Sequence, residues 1–281
     1  MDLGIGILFA VLCALSKAID TLLNKSVMRN VSAANHAIYR IVFVTPVLLI
    51  AACLNWQLEV ACLPYVLLYG VLESINIFSH QLAVKRSNPL HIEIISKSKI
   101  IFTLILSFVL MIDQLSFWST IGISVFMVGT ALTINFQRKG EDERTDMRGV
   151  GLEIVSVLAR TFKPFILKSC IQKGLTSSET MAFLSMIVAF LVLLAVFRPR
   201  LDYKEISVPK YAAQAIIVGL GMLLSGWAIT RANIVVVNAI ESTTIVFIMA
   251  ISYVLYKKKY SLLTIIGSII AVAGITLAIV L

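Results

Sequence analysis

Hydrophobic residues follow the chain in long runs, each about as long as a membrane-spanning helix, separated by short polar segments. An α-helix needs about 20 apolar residues to cross the hydrocarbon layer of a bilayer. The runs predict ten membrane-spanning helices, joined by loops that are too short to fold as domains. The predicted spans are 3–25, 34–54, 62–84, 89–111, 115–136, 149–170, 178–197, 210–230, 233–256 and 261–281. The sequence therefore predicts an all-α polytopic membrane protein.

The composition agrees with a membrane protein and argues against nucleic-acid binding. The chain is 59% hydrophobic and 14% charged, with a mean hydropathy of +0.96, outside the range of soluble globular domains. The net charge is +9, but its basic residues are unevenly placed: loops on one side carry fifteen Lys and Arg residues and loops on the other carry Lys168, Lys173 and Arg231. Basic loops stay in the cytoplasm. Both termini are therefore predicted outside, and no nucleic-acid partner is expected.

The chain repeats itself at a distance of 145 residues. An ungapped alignment of 1–136 with 146–281 gives 25 identities in 136 positions, roughly twice the chance expectation for so apolar a composition. Each copy contains five predicted spans. Because five is odd, the second copy enters the membrane from the opposite face. The sequence predicts two inverted five-helix repeats, 1–136 and 149–281, joined by a cytoplasmic linker at 137–148.

Both repeats close with the same spaced motif, S-x5-G-x6-G. Its residues are Ser116, Gly122, Gly129, Ser261, Gly267 and Gly274. Ten spans in two such repeats resemble the EamA branch of the drug/metabolite transporter superfamily. The resemblance implies a multi-pass transporter of the cell (inner) membrane, with a central cavity lined by spans 1, 3, 4, 6, 8 and 9. Spaced glycines favour close helix packing, so the four motif glycines are expected to hold the two closing helices together, away from the cavity.

Ionisable and amide residues within the spans fall on single helix faces. Charges at membrane depth are costly and face a cavity or a partner, and a spacing of three or four residues places them on one side of a helix. These candidate cavity residues are Lys17, Asp20, Asn24, Glu73, Asn76, His80, Glu153, Arg160, Lys163, Asn238 and Glu241. Permanent pairing that holds the bundle together is the structural alternative. Arg40 lies nearer a span end and is interpreted as an interface anchor.

The fourth span carries three further charges in the segment EIISKSK. Glu93 and Lys97 are four residues apart, in the order that favours an ion pair, whereas Lys99 lies about 160° further round the helix. Their equivalents in the second repeat are uncharged, a difference that a site for an asymmetric cargo would require. We therefore expect Glu93, Lys97 or Lys99 to contribute to substrate binding or gating.

The cavity charges balance, with five cations and five anions among the predicted lining residues. This balance favours a zwitterionic or hydrogen-bonding metabolite, such as an amino acid, as the small-molecule substrate. Cations dominate spans 4 and 6, so a carboxylate or phosphorylated cargo stays open. The interpretation is a secondary transporter that works by alternating access, with export as a candidate direction. A flippase for a lipid-linked or phosphorylated intermediate is the alternative.

A membrane-embedded enzyme is a weaker interpretation, because the sequence lacks H-E-x-x-H, G-x-S-x-G and P-loop motifs. No cofactor or metal is expected, and the chain is expected to work as a monomer or homodimer in the lipid bilayer. Glu73 and Glu241 have no charged partner on their own helix. They either exchange protons that drive transport or pair with a cation such as Arg160 or Lys163, and a counter-transported solute is a further coupling alternative.

The four cysteines have no metal-binding spacing. Cys53 and Cys62 flank the predicted outer loop between spans 2 and 3. A disulfide between them is one interpretation, and ordinary packing of small apolar side chains is the favoured one.

The charge distribution predicts that the 137–148 linker is cytoplasmic. A cysteine placed at Glu141 should resist an impermeant thiol reagent in intact cells and react after lysis. Labelling without lysis would show that the predicted topology is inverted.

Overall fold

The computed structural model describes residues 2–27, 31–86, 92, 95–110, 116–135, 146–198, 206–257 and 262–280. Within these ranges the fold consists of α-helices, one short 3₁₀ turn at Val60–Cys62 and one isolated β-bridge. The helices are α1 Asp2–Val27, α2 Ala33–Leu54, α3 Leu63–Arg86, α4 Lys99–Leu110, α5 Phe117–Asn135, α6 Met147–Gln172, α7 Ser178–Phe197, α8 Val208–Arg231, α9 Ile234–Ser242, α10 Thr244–Tyr256 and α11 Leu262–Val280.

The helices include several that are suited to a bilayer. The described stretches that are long and apolar enough to cross it are Leu3–Asn24, Ala33–Leu54, Val60–Arg86, Ser178–Phe197, Val208–Arg231 and Ile234–Leu255. The multi-pass, all-helical prediction is confirmed, and the count of ten spans stays a prediction. Most of the linker, at 136–145, lies outside the described residues.

Equivalent serine caps start equivalent helices in the two repeats. The Ser32 hydroxyl accepts a hydrogen bond from the Asn35 amide at 3.1 Å at the start of α2. The Ser177 hydroxyl accepts one from the Thr180 amide at 3.2 Å at the start of α7. Each cap satisfies a backbone donor that the first turn of a helix leaves unpaired. The repeat is therefore visible in local structure as well as in sequence.

Helix packing also follows the repeat. If the two halves are exchanged, α1 corresponds to α6, α2 to α7, α3 to α8 and α5 to α11. The packing of α1 on α8 then corresponds to that of α3 on α6, and the packing of α2 on α8 to that of α3 on α7. The pairs α2–α7 and α5–α11 map onto themselves. The helix contacts named here all join one repeat to the other.

The seam between α5 and α11 is built from the four motif glycines. A side chain at Gly129 would overlap the backbone nitrogen of Ala271 and the carbonyl of Gly267. A side chain at Gly274 would overlap the backbone nitrogen of Phe126 and the carbonyl of Gly122. The two helices thus approach to backbone contact at both points, which only glycine permits.

The structure contains no disulfide between Cys53 and Cys62. All four are free, with Cys53 exposed and Cys62 buried. Cys62 instead points into the core between the two repeats, where Cys170 is also buried. The Cys53–Cys62 disulfide interpretation is therefore wrong.

We predict that Gly129→Ala and Gly274→Ala each destabilise the protein by about 1–3 kcal/mol, because the added methyl overfills a closed seam. Thermal unfolding of the purified protein measures the effect. Gly151→Ala is the matched control, since a side chain there meets no atom within 4 Å. Equal midpoints for Gly129→Ala and the control would show that the seam is looser than described.

Candidate functional site

The fourth and ninth spans are interrupted at equivalent positions, Ser98 and Thr243. The Ser98 amide donates to the Ile95 carbonyl at 3.0 Å, and the Thr243 amide donates to the Ile240 carbonyl at 2.9 Å. These three-residue bonds replace the four-residue bonds of an α-helix and tighten both turns. The ninth span, predicted over 233–256, is one apolar stretch at Ile234–Leu255, and the tight turn at Thr243 lies inside it.

Hydroxyl side chains explain why the ninth span breaks where it does. Ser242, Thr243 and Thr244 follow one another, and each hydroxyl donates to a backbone carbonyl three or four residues earlier, at 2.8, 2.7 and 2.5 Å. Such back-bonding competes with the helical ladder and favours bends. The segment S-T-T therefore marks the break in the sequence.

Glu241 lies in the last turn before the second break and is the best-satisfied charge in the site. Its Oε2 lies 2.6 Å from the Lys17 ammonium, and its Oε1 accepts hydrogen bonds from the hydroxyl of Ser225 at 2.5 Å and the thiol of Cys13 at 3.4 Å. The Glu241 side chain is 5% exposed, whereas that of Lys17 is 43% exposed. One partner of this ion pair is thus partly exposed.

Lys99 lies just after the first break, as the opening residue of α4. Its ammonium donates to the amide oxygen of Asn238 at 2.7 Å, and the Asn238 amide donates to the Thr103 hydroxyl at 3.3 Å. Within the described part of the chain, no carboxylate forms an ion pair with Lys99. The bond joins one broken span to the other.

A second carboxylate centre lies between α3 and α6. Glu153 is fully buried and binds both the Arg160 guanidinium and the Nδ1 atom of His80, at 2.8 Å. One turn away, the Ser156 hydroxyl donates to the Asn76 amide oxygen at 3.1 Å. The polar stripes of the third and sixth spans therefore face each other.

Glu73 and Lys163 form a further ion pair between α3 and α6. Glu73 and Glu241 are thus both paired with a lysine from another helix. The structure agrees with the alternative of interhelical pairing. Neither position offers the unpaired carboxylate from which the proton-exchange hypothesis was argued.

Asp20 and Asn24 lie in a different network. The Asp20 carboxylate binds Arg40 at 2.7 Å and accepts from the Gln214 amide at 2.8 Å. Gln214 also donates to the Asn24 oxygen at 3.3 Å. This network ties α1 to α2 and α8. Arg40 is therefore an ion-pair partner, contrary to the interface-anchor interpretation.

The charges around the two breaks act on one another as a single group. Lys99 interacts electrostatically with Glu241, Lys17 and Arg160, and Lys163 interacts with Lys17 and Glu241. We call this group the central charge cluster. Its members are Lys17, Lys99, Arg160, Lys163, Glu73, Glu153 and Glu241. The cluster therefore contains four basic and three acidic side chains.

The other two predicted charges of the fourth span are Lys97 and Glu93. Lys97 is partly buried and lies one residue before the first break. Glu93 lies outside the described residues, so its proposed pair with Lys97 stays a prediction.

Sequence reasoning missed several uncharged partners of the cluster. Cys13 precedes Lys17 by four residues, so its helical spacing could have identified it. Thr103 follows Lys99 by four residues, so the same spacing places it on the Lys99 face. Ser225 carries no such signal, because its partner Glu241 lies on another helix.

These features define a polytopic helical membrane transporter built from two related halves, with charges at breaks in its helices. The sequence matches the EamA-like transporter family over residues 4–135 and again over 147–280. The chain belongs to this family, and thus to the drug/metabolite transporter superfamily, so the resemblance drawn from the sequence is confirmed. Members of this family are transporters, not enzymes.

One solved structure, described as "Crystal structure of protein", has a TM-score of 0.76 to this chain at 14% identity. The match covers 99% of this chain and 98% of that one. At such low identity it shows the shared fold alone. Among curated proteins, no sequence matches this chain.

We predict that Lys17→Met and Glu241→Gln each lower the thermal midpoint, because each leaves polar groups of the other side chain without a partner. The double variant should lose less than the two losses added together, with a coupling of about 0.5–3 kcal/mol. Glu241→Gln combined with Lys210→Met, a change on an exposed residue of α8, is the control and should be additive. Additive losses in both pairs would mean that the Lys17–Glu241 contact contributes nothing to stability.

Proposed function

We propose that the protein is a secondary transporter that moves a small zwitterionic, amino-acid-like metabolite across the membrane by alternating access of its two repeats. The observation that carries this proposal is the pair of broken spans with charges of opposite sign beside the breaks. Broken helices near the middle of a membrane place free helix ends where a substrate can reach them.

Lys99 is the candidate partner for a carboxylate of the cargo. It opens α4, where the positive end of the helix dipole disfavours a cation, and it contacts only the neutral amide of Asn238 among the partners described for it. A negative group near Lys99 would relieve both costs.

Glu241 is the candidate partner for an ammonium group. It lies at the end of α9, where the negative end of the helix dipole disfavours an anion, and Lys17 offsets that cost at present. Because the Lys17 side chain is partly open, a cargo ammonium can replace it at Glu241 without leaving the carboxylate unpaired. Lys99 and Glu241 together give the site two opposite poles.

The second candidate function is a flippase for a lipid-linked or phosphorylated intermediate. The observation in its favour is the presence of four basic side chains in the central charge cluster, which suit a phosphate as well as a carboxylate. A lipid-linked cargo also needs a lateral path between helices for its tail. The two candidates therefore differ in the ligand that stabilises the purified protein.

A thermal-shift screen distinguishes them. The probes are α-amino acids, dicarboxylates, polyamines, sugar phosphates and a short-chain polyprenyl phosphate. We expect amino acids to raise the midpoint, and the dicarboxylates and polyamines, whose charges are all of one sign, to have no effect. A shift with the phosphates alone would favour the flippase.

We predict that Lys99→Met weakens binding of the stabilising amino acid about 10- to 100-fold, because it removes a charge-assisted hydrogen bond of about 1.5–3 kcal/mol. Lys97→Met is expected to reduce transport of the same compound into proteoliposomes. Both variants should remain folded in the membrane. Lys210→Met is the matched control and should bind normally. Normal binding and transport by the Lys97→Met/Lys99→Met double variant would contradict the prediction and would mean that both lysines are structural.

A further inference from the structure

Two loops on one face of the molecule fasten the first repeat to the second. We call residues 55–59 and 174–180 the clasp. Leu58 and Thr176 form an antiparallel bridge. The Glu59 amide donates to the Leu175 carbonyl at 2.8 Å, and the Ser177 amide donates to the Gln57 carbonyl at 3.4 Å. The backbone of one repeat therefore pairs directly with that of the other.

Side chains close the clasp further. The Ser177 hydroxyl donates to the Asn55 carbonyl at 2.7 Å, and the Gln57 amide donates to the Gly174 carbonyl at 2.7 Å. Glu179, at the start of α7, accepts from the Trp227 indole at 2.7 Å and from the Asn55 amide at 3.3 Å. Neutral hydrogen-bond donors from Trp227 and Asn55 thus hold the Glu179 carboxylate in place within the clasp.

Two cysteines lie directly behind the clasp, one from each repeat. The Cys62 amide donates to the Glu59 carbonyl at 2.9 Å, and the Leu175 amide donates to the Cys170 carbonyl at 2.9 Å. Glu59 and Leu175 also hydrogen bond to each other. The backbone therefore holds Cys62 and Cys170 on the two sides of the Glu59–Leu175 contact. Cys62 is 0% exposed and Cys170 is 1% exposed. Both side chains pack in the same buried cluster of the core, close enough for their thiols to interact.

Ordinary packing explains the burial of a single thiol, since free cysteine behaves as a small hydrophobic residue. It does not explain why two thiols from different repeats meet behind the contact that joins those repeats. Cys53, two residues before the clasp, is exposed and provides an internal comparison.

We propose that Cys62 and Cys170 are a redox-sensitive pair, and that their disulfide ties the two repeats together and holds the clasp closed. The predicted topology places this face outside the cytoplasm, where disulfides persist. Each thiol gives up a proton, one S–S bond forms, and two electrons pass to an oxidant. With diamide, a small diazene, the N=N bond takes up both protons and both electrons to become a hydrazine.

The test uses the full chain with a protease site inserted in the linker between 137 and 145. The purified protein is treated with diamide, blocked with a maleimide, cut and run on a denaturing gel without reductant. We expect the two halves to migrate together and to separate after dithiothreitol. Cys53→Ser should behave in the same way, whereas Cys62→Ser and Cys170→Ser should each separate without reductant.

Hydrogen exchange of the oxidised and reduced chains tests the effect on the clasp. We expect peptides covering 55–62 and 173–180 to exchange more slowly after oxidation, with no such change in Cys62→Ser. Separation of the halves after diamide treatment would overturn the proposal, as would retention in Cys62→Ser. Equal exchange before and after cross-linking would also overturn it, because the disulfide would then have no hold on the clasp. None of these readouts depends on transport of a substrate.

Discussion

A charge that is moved from water into a bilayer must find a partner, and this constraint decides how the helices of this protein are arranged. The Glu153 carboxylate is fully buried and still binds two side chains, Arg160 and His80. The contact with His80 requires α3 and α6 to face each other in one register, whereas Arg160 lies two turns further along α6 itself. Glu241 imposes the same requirement on α1, α8 and α9. Pairing of charges therefore fixes which helix faces turn inward, and the Lys99–Asn238 hydrogen bond joins the two broken spans.

The pairs also explain why the two repeats share a scaffold and differ at the centre. Positions that shape the backbone are alike in both halves, as the caps at Ser32 and Ser177 and the breaks at Ser98 and Thr243 show. The charged positions are not alike, since Lys99 corresponds to Thr244 in the second repeat. A symmetric frame thus carries an asymmetric set of charges. Such a frame can present a cation and an anion to the two ends of one molecule.

Much of this organisation can be predicted from the sequence, because it depends on local periodicity. The helical spacing of Glu73, Asn76 and His80 identifies an inward face without any knowledge of the neighbouring helix. The partners cannot be predicted in this way. Lys17 and Glu241 are more than two hundred residues apart, and nothing local in either span indicates that they meet. The pairing of Asp20 with Arg40 was missed for the same reason, and so was the meeting of Cys62 with Cys170.

The glycine seam between α5 and α11 has a consequence for the ancestry of the fold. Gly129 packs on the carbonyl of Gly267, and Gly274 packs on the carbonyl of Gly122. Each helix therefore supplies one glycine without a side chain and one glycine carbonyl to the other helix. An interface of this kind is isologous. A single five-helix half therefore carries both sides of its own joint and could pair with an inverted copy of itself. The seam has the form expected if two separate chains of opposite orientation assembled there before a gene fusion joined them.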